Sequence, residues 1–296
     1  MATTSKTTLM SAASQPAKKR FDICRIAKRH PNMAIGFVLI TIIVLVSICA
    51  PLIMTHSPTH QVPAERLKPP FTGEYWLGTD GQGRDLYSRT IKASQVSLFV
   101  GAVVALLTIT VGGLIGLLCG TIQKFDTIVM RIMDGMLAFP SIILAIAIMA
   151  VRGPAISNVI FALAIVNLPT AARVVRSVVL GIAEGQFVEA AKAMGASRGR
   201  ILFKHIAINS LSPAIVQTSI VFAQAILSEA SLSFLGAGIP THIPSWGVML
   251  SDSRVFLANA PWTMLVPGAA LTITVFALNL IGDGIRDMLD PRLRNR

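Results

Sequence analysis

The chain has 296 residues, of which 53% are hydrophobic and 14% are charged, and its mean hydropathy is +0.67. Soluble domains carry about 25% charged residues, so this composition excludes an ordinary soluble protein and indicates a membrane protein. The net charge of +12 does not indicate nucleic-acid binding, because the basic residues lie mostly between apolar runs and aromatic residues make up only 6%. Cys24, Cys49 and Cys119 form no CxxC motif, so neither a disulfide framework nor a metal site is predicted.

Six apolar runs are long enough to cross a bilayer as helices. A polar segment, 1–32, precedes the first run, which is too long for the apolar region of a cleavable signal and is therefore predicted to be retained. The fourth run is the weakest, since Arg173 and Arg176 stand at its end, and it is predicted to stop near Ala172. The predicted spans are 33–54, 96–120, 133–151, 157–178, 210–236 and 263–284.

Lysine and arginine counts predict the orientation. If the tail 1–32 is cytoplasmic, 19 of the 26 basic residues fall in cytoplasmic segments and 7 in external ones. The predicted fold is therefore an all-α polytopic membrane protein with six transmembrane helices and both termini in the cytoplasm. Its parts are the N-tail 1–32, the first helix with its external loop 33–95, a five-helix core 96–284 containing a cytoplasmic segment 187–209, and the C-tail 285–296.

The external loop contains "GTDGQGRD", residues 78–85, whose glycines and aspartates predict a tight turn. It is not a phosphate-binding loop, and the whole chain lacks GxxxxGK[ST], so an ATP-driven role would need a separate ATPase. His56 and His60 are separated by Pro58, which disfavours the helix that would align them as metal ligands, and a solvated loop is predicted instead.

In the second run, small residues recur at four-residue spacing, which lets two helices approach closely. These are Gly112, Gly116 and Gly120, and packing inside this subunit is favoured over contact with a second chain.

"EAAKAMGASRGRILFKHIAIN", residues 189–209, is a basic stretch in an apolar chain. It predicts a helix ended by Gly195 in the left-handed conformation, then a second helix from Arg198 to about Ile208, capped by Ser197. Phe187, Ala191 and Met194 are predicted to share one side of the first helix, available to a partner. By pattern alone, an amphipathic linker resting on lipid headgroups is slightly favoured over a protein-binding segment.

This stretch resembles the "EAA" signature of permease subunits of binding-protein-dependent ABC importers. The match lies at Glu189, Ala190, Ala191, Gly195, His205 and Ile206. The resemblance implies a type I ABC importer-like fold in which the segment is a coupling helix that docks on a cytoplasmic ATPase. The chain departs from the family at Ile208, where proline is frequent, so the sequence leaves open how sharply the chain breaks before the fifth span.

Three further stretches narrow the resemblance to the C-type subunit of the dipeptide/oligopeptide/nickel permease family: "LGTDGQGRD", "SEASLSFLGAGIPTHIPSWGVML" and "GDGIRDMLDPRLR". It implies a permease of the bacterial inner membrane, without catalytic residues or a cofactor of its own. The implied partners are a sister permease, two ATPases that bind ATP and Mg²⁺, and an external solute-binding protein. Short peptides are the favoured solute, with nickel, opines and other small solutes left open.

Glu229 lies deep in the fifth run, so it should face protein or water rather than lipid. With Ser231 it could line a gate or pathway; a structural network with Ser228, Ser231 and Ser233 is slightly favoured. Trp246 and Trp262 are predicted to be interfacial anchors. Two rival functions remain: an ion- or proton-coupled secondary transporter that uses Glu229, and a membrane enzyme, which lacks a candidate catalytic pair.

Overall fold

The computed structural model describes residues 31–289, except for the side chains of Arg198 and Leu289, and the regular elements in this range are helical. Short helical turns occupy Ala50–Ile53, Pro63–Glu65, Arg198–Arg200 and Arg254–Phe256, and a π-helical segment spans Ile201–Ala207. The longer helices are α1 (Pro31–Ile48), α2 (Leu86–Cys119), α3 (Gln123–Leu137), α4 (Ser141–Arg152), α5 (Ile156–Ala183), α6 (Gln186–Ala193), α7 (Ile208–Phe234), α8 (Trp246–Ser253) and α9 (Trp262–Leu289).

Five helical stretches are long and apolar enough to cross a membrane, namely α1, α2, α5, Ile201–Phe234 and α9. A sixth crossing is formed if α3 and α4 together make one span, and these two helices are bent by 93°. The prediction of one continuous helix over 133–151 is therefore wrong. Pro140 stands at the break, where its ring disfavours a helical conformation at the residue before it and where it has no N–H to donate.

Helix α5 runs to Ala183, so the helix itself continues beyond Ala172, where the sequence predicts that the fourth span stops. The two arginines beyond Ala172 are paired with carboxylates of α3. Arg173 Nη2 lies 2.6 Å from Asp134 Oδ1, and Arg176 makes an ion pair with Asp126. Arginine is a good helix former, so the helix continues through both residues, and the two ion pairs connect this part of α5 to α3.

The glycine stripe of α2 lies against α5 within the subunit. A Cβ added to Gly116 would lie 2.5 Å from the Ala172 carbonyl oxygen, and one added to Gly112 would lie 2.9 Å from Ala171 Cβ. At Gly120 the same atom would meet Val179 Cγ1 at 2.4 Å. The backbones of α2 and α5 therefore approach at a distance that a larger side chain would prevent.

After α7 the chain folds back into the bundle rather than staying at its surface. Gly236, with φ of 81°, ends α7, and the Ser245 hydroxyl caps α8 by accepting from the Val248 amide at 3.2 Å. Trp246 is 1% exposed, and its indole nitrogen donates to the Thr90 carbonyl at 3.2 Å. The prediction that Trp246 is an interfacial anchor is therefore wrong: its ring packs in the core between α2 and α7.

Candidate coupling segment and solute path

The predicted cytoplasmic segment 187–209 corresponds to residues 186–207 of the structure, which we call the coupling segment after the role that the resemblance implies. It begins with helix α6, which ends as the sequence predicts. Gly195 has φ of 77°, the left-handed conformation that glycine adopts without a steric penalty. The Ala196 amide donates to the Ala191 carbonyl and the Gly195 amide to the Lys192 carbonyl, each at 3.0 Å. This is the paired hydrogen-bond pattern of a Schellman helix end.

The second helix of the coupling segment continues into the membrane without interruption. Ser197 Oγ accepts from the Arg200 amide at 3.4 Å, in the manner of an N-cap, and the chain then passes through the π-helical segment into α7. Ile208 has helical dihedral angles, φ −62° and ψ −41°. Unlike proline, isoleucine keeps its N–H and so can continue the helix. The predicted second helix, ending near Ile208, is thus the start of the longer stretch Ile201–Phe234.

The coupling segment has one buried face and one exposed face. Val188, Ala191, Ile201 and Ile206 are buried in a cluster with Val175 and Val179 of α5.

The exposed face presents Phe187, Met194 and Phe203, of which Met194 is 82% exposed. The prediction that Ala191 shares an accessible side with Phe187 and Met194 is wrong, since Ala191 faces α5. Of the other signature residues, Glu189, Ala190 and Gly195 are exposed, while His205 is partly buried with its ring 6.3 Å from that of Phe187.

A cavity of about 610 Å³ lies where the bend between α3 and α4 meets α5 and α7. Its lining mixes apolar residues with uncharged polar ones, and no charged side chain belongs to it. Within the described chain, the side chains of Thr170, Gln224 and Ser228 have no hydrogen-bond partner, whereas Asn167 Nδ2 donates to the Leu163 carbonyl at 2.7 Å. The polar lining residues are Ser141, Asn167, Thr170, Gln224, Ser228 and Ser231.

A second cavity, of about 420 Å³, continues along the same two helices toward the coupling segment. Its lining includes Val174 of α5, Ser212 and Gln217 of α7, and Arg286 of α9. We call the α5 and α7 residues that line these two cavities the polar face. On α7 the polar face includes positions 213, 217, 220, 224, 227 and 231. These positions are separated by four and three residues in turn, which is the spacing of one helical face. From Ser212 to Ser231 it extends about 28 Å, close to the roughly 30 Å of a bilayer core.

Glu229 does not belong to the polar face. It is 0% exposed, and its carboxylate accepts hydrogen bonds from three serine hydroxyls. Ser233 and Ser245 donate to Oε1 at 2.8 and 2.9 Å, and Ser97 donates to Oε2 at 3.2 Å. Since Ser97 lies on α2 and Ser245 caps α8, this network connects α2 and α8 to α7.

Of the serines predicted beside Glu229, only Ser233 bonds to it. Ser231 Oγ donates to the Leu227 carbonyl at 2.8 Å, and Ser228 lines the larger cavity. Sequence reasoning missed Ser97 and Ser245, because they are 132 and 16 residues away and no local pattern links them to Glu229.

The loop between α1 and α2 is held by a buried charge cluster that the sequence did not predict. Asp80 pairs with Arg84 and lies 3.4 Å from Arg89 Nε, while Arg84 Nη2 donates to Asp252 Oδ2 at 3.0 Å. "GTDGQGRD" folds as the predicted turn, with Gly78 and Gly83 at φ of 81° and 72°. The turn is thereby tied to the segment after α7, because Asp252 belongs to α8.

In the same loop, Glu65, Lys68 and Tyr75 form a hydrogen-bonded cluster. The Lys68 ammonium, 2.8 Å from Oε1, and the Tyr75 hydroxyl both donate to Glu65 and lower the pKa of its carboxyl group. The hydrogen bond to Glu65, together with burial, raises the pKa of Tyr75 to about 12. His56 stacks on Tyr75 with ring centroids 5.1 Å apart, and residues 31–289 contain no cluster of three His, Cys, Asp or Glu side chains suited to a metal ion.

Comparison with known proteins identifies the family. Residues 112–295 match the binding-protein-dependent transport system inner membrane component, and residues 22–70 match the N-terminal transmembrane domain of oligopeptide transport permease C. The first match covers more than half of the chain. The protein belongs to this family of transport permeases. It is thus a multi-pass membrane subunit of a transport system, as the four sequence stretches predict.

Two relatives and one solved structure are similar to this chain. It is 45% identical over 269 residues to the dipeptide transport system permease protein DppC of Alkalihalophilus pseudofirmus, covering 90% of this chain and 88% of that one. It is 38% identical over 266 residues to the di/tripeptide transport system permease protein DppC of Pseudomonas aeruginosa, covering 88% of each. The inward-facing MetNI methionine ABC transporter matches with a TM-score of 0.58 at 21% identity, covering 68% of this chain and 97% of that one. The fold is therefore that of type I ABC importer permeases.

Proposed function

We propose that this chain is one of two different permease subunits of an ATP-driven importer for short peptides in the bacterial inner membrane. Membership of the permease family supports the transport role, and two relatives named for dipeptides or di/tripeptides support the solute class. The complete importer would contain a sister permease, two cytoplasmic ATPases that bind ATP and Mg²⁺, and an external solute-binding protein. In this scheme the chain performs no bond chemistry.

The observation that carries the coupling role is the two-sided coupling segment. Its exposed side presents Phe187, Met194 and Phe203, apolar groups that a partner protein can bury. Its buried side packs on α5, and α5 also contributes residues to the polar face. Motion of an ATPase bound to the exposed side would therefore be transmitted to the helices that line the solute path. The path would then alternate between outward and inward access.

The coupling role requires the segment to lie in the cytoplasm. The distribution of basic residues, 19 on the proposed inner side and 7 on the outer, supports this orientation with both termini inside. In the resulting arrangement the turn 78–85 and helix α8 lie on the outer side, where the solute-binding protein would dock.

Reconstitution tests the proposed function. The two permeases and the two ATPases are placed in vesicles with the binding protein outside and ATP with Mg²⁺ on the ATPase side, and uptake of a labelled dipeptide is measured. We expect uptake that requires ATP hydrolysis and persists when proton and ion gradients are collapsed. Uptake that follows an imposed gradient without ATP would contradict the proposal and would support the secondary transporter that the sequence left open.

A further inference from the structure

The polar face has hydrogen-bonding groups that the chain itself does not use. Thr170, Gln224 and Ser228 have no side-chain hydrogen bond to any described residue, although all three line the cavity of about 610 Å³. Polar groups in a membrane-spanning bundle are costly against lipid and therefore face water, a solute or another protein. The unused capacity points to a ligand or a partner on this face.

The chemistry of the polar face is uncharged over most of its length. The larger cavity is lined by amides, hydroxyls and apolar groups, and the one charged residue along the smaller cavity is Arg286, near the end of the described chain. The carboxylate nearest in sequence, Glu229, is turned away and enclosed by the hydroxyls of Ser97, Ser233 and Ser245. The buried carboxyl group of Glu229 thus lies outside the cavity.

Two carboxamides on opposing helices, Asn167 of α5 and Gln224 of α7, line the same cavity. A carboxamide offers one acceptor and two donor hydrogens, which matches the C=O and N–H groups of a peptide bond. Asn167 Nδ2 already donates to the Leu163 carbonyl, which holds the side chain in place and leaves its Oδ1 to accept. Apolar neighbours such as Val166 and Leu227 can accommodate apolar peptide side chains.

We propose that the larger cavity recognises the backbone amides of the passing peptide through Asn167 and Gln224 of the polar face, and that this cavity does not select by the net charge of the peptide's side chains. This inference rests on the proposed peptide-importer function and adds the chemistry of the path. Without fixed charges along the larger cavity, acidic, neutral and basic peptides meet similar electrostatic free energies there. Selection by charge is then left to other components of the importer.

The first test places a charge at each position: Gln224→Glu and Asn167→Asp, compared with wild type in the reconstituted importer. Uptake is measured for dipeptides of net charge −1, 0 and +1, and each variant rate is divided by the wild-type rate for the same peptide, which cancels the preference of the binding protein. We expect the ratio for the acidic peptide to fall about tenfold below the ratio for the basic one, because like charges a few ångströms apart repel in a partly desolvated cavity. Equal ratios for the three peptides would overturn the inference.

Two control variants separate the effect of charge from other effects. Asn158→Asp makes the same chemical change at an amide outside both cavities, where Asn158 Nδ2 donates to the Arg152 carbonyl at 2.8 Å, and it should not alter the ratios. Gln224→Met removes the amide without adding charge and should slow all three peptides by a similar factor. If wild type itself shows no ATP-driven uptake of any peptide, the proposed function fails; if it transports but the ratios do not separate, only the present inference fails.

The second test measures whether the polar face is wet in the assembled complex. Gln224→Cys in a background without Cys24, Cys49 and Cys119 should react with a small charged thiol reagent, and bound dipeptide should slow the reaction. If this face instead packs against the sister permease, Gln224→Cys will be unreactive and Gln224→Glu will prevent assembly. Either of these results would overturn the inference.

Discussion

Glu229 shows that a residue whose position in the sequence suggests a functional role can make contacts that serve the structure. A lone carboxylate in an apolar run suggests a coupling or gating group. The structure instead surrounds it with three serine hydroxyls on α2, α7 and at the start of α8, with no exposure to the cavities. We infer that its main role is to hold the returning segment 235–245 in the bundle.

Two substitutions test the role of Glu229. Glu229→Gln keeps a carbonyl acceptor of the same shape, and the hydroxyls can rotate to accept from its NH₂ group, so transport should remain near wild type. Glu229→Leu leaves hydroxyls buried without an acceptor, at about 1–3 kcal/mol for each one left unsatisfied, and should lower thermal stability and assembly. These are measured as unfolding temperature, complex yield and peptide uptake. Loss of uptake in a fully assembled Glu229→Gln complex would show that the charge itself is required.

Tyr75 provides a pH-dependent prediction at the outer loop. Tyr75 and Tyr87 are the only tyrosines in the sequence, so Tyr87→Phe leaves one phenol to titrate by ultraviolet absorbance. We expect its midpoint near 12. Adding Glu65→Gln replaces the charged acceptor, which favours the protonated phenol, by a neutral one and should lower the midpoint toward the ordinary value of about 10. A midpoint that does not respond to Glu65→Gln would exclude the Glu65 carboxylate as the cause.

The shifted groups also determine when this cluster stabilises the loop. The pKa of Tyr75 is raised in the folded state, so its contribution is complete below about pH 10 and is lost as the pH rises toward 12. The pKa of Glu65 is lowered, so its contribution is present above the unfolded-state value and is lost as the pH falls through the folded-state value. Between these limits the cluster contributes fully to the stability of the loop.

At the scale of elements, the two features to test are the close packing of α2 on α5 and the end of α6 at Gly195. Helix α2 can approach α5 because glycines occupy the contact, whereas Gly113, one residue after Gly112, faces open space. This contrast offers a matched pair of substitutions on one helix.

We expect Gly116→Ala to destabilise the subunit and Gly113→Ala to be neutral or slightly stabilising. The new Cβ at position 116 would lie 2.5 Å from the Ala172 carbonyl oxygen, so the helices must separate, at a cost of about 1–3 kcal/mol. At position 113 nothing lies within 4 Å, and alanine favours a helix over glycine by roughly 0.5–1 kcal/mol. Unfolding in detergent, followed by circular dichroism, compares the two. Equal effects would contradict close packing of α2 on α5.

The end of α6 provides the second prediction at this scale. Gly195→Val places a β-branched residue at φ of 77°, which should break the turn between α6 and the next helix. The matched control is Gly181→Val: both glycines face open space, but the φ at Gly181 is not in the left-handed region. We expect both variants to insert into the membrane and only Gly195→Val to lose ATP-driven uptake or ATPase binding. Full uptake by Gly195→Val would leave the lipid-resting linker as the better interpretation of residues 189–209.

At the scale of the whole molecule, the orientation and the assembly are the features to test. Ala64 lies in the loop between α1 and α2, and Ala193 lies at the end of α6; both are exposed. In a background without native cysteines, Ala64→Cys should react with an impermeant thiol reagent added to intact cells. Ala193→Cys should react only after the cells are broken. External labelling of Ala193→Cys would refute both the orientation and the coupling role.

Assembly gives a further prediction at this scale. The purified chain alone should neither transport dipeptide nor hydrolyse ATP, and both activities should return when the sister permease, the ATPases and the solute-binding protein are added. The polar face is the surface of this chain that we expect the second permease to complete into a closed path. Uptake by the single chain in vesicles would contradict a heteromeric importer.

The sequence alone determined the class of protein, the approximate positions of the membrane spans, the turn at 78–85, the helix end at Gly195 and the permease family. The permease family was identified from the resemblance of four sequence stretches. The other features depend on composition, on runs of apolar residues and on local backbone preferences, which need no contact between distant residues. For the same reason the glycine stripe of α2 could be recognised as a packing surface.

Only the tertiary structure decided the bend of 93° between α3 and α4, the full length of α5, the burial of Trp246 and the partners of Glu229. Arg173 and Arg176 pair with Asp134 and Asp126 of α3, and Glu229 accepts a hydrogen bond from Ser97, 132 residues earlier. The polar face likewise needs α5 and α7 side by side. Each of these features depends on groups brought together by packing, and a pattern read along the chain does not contain the distance between them.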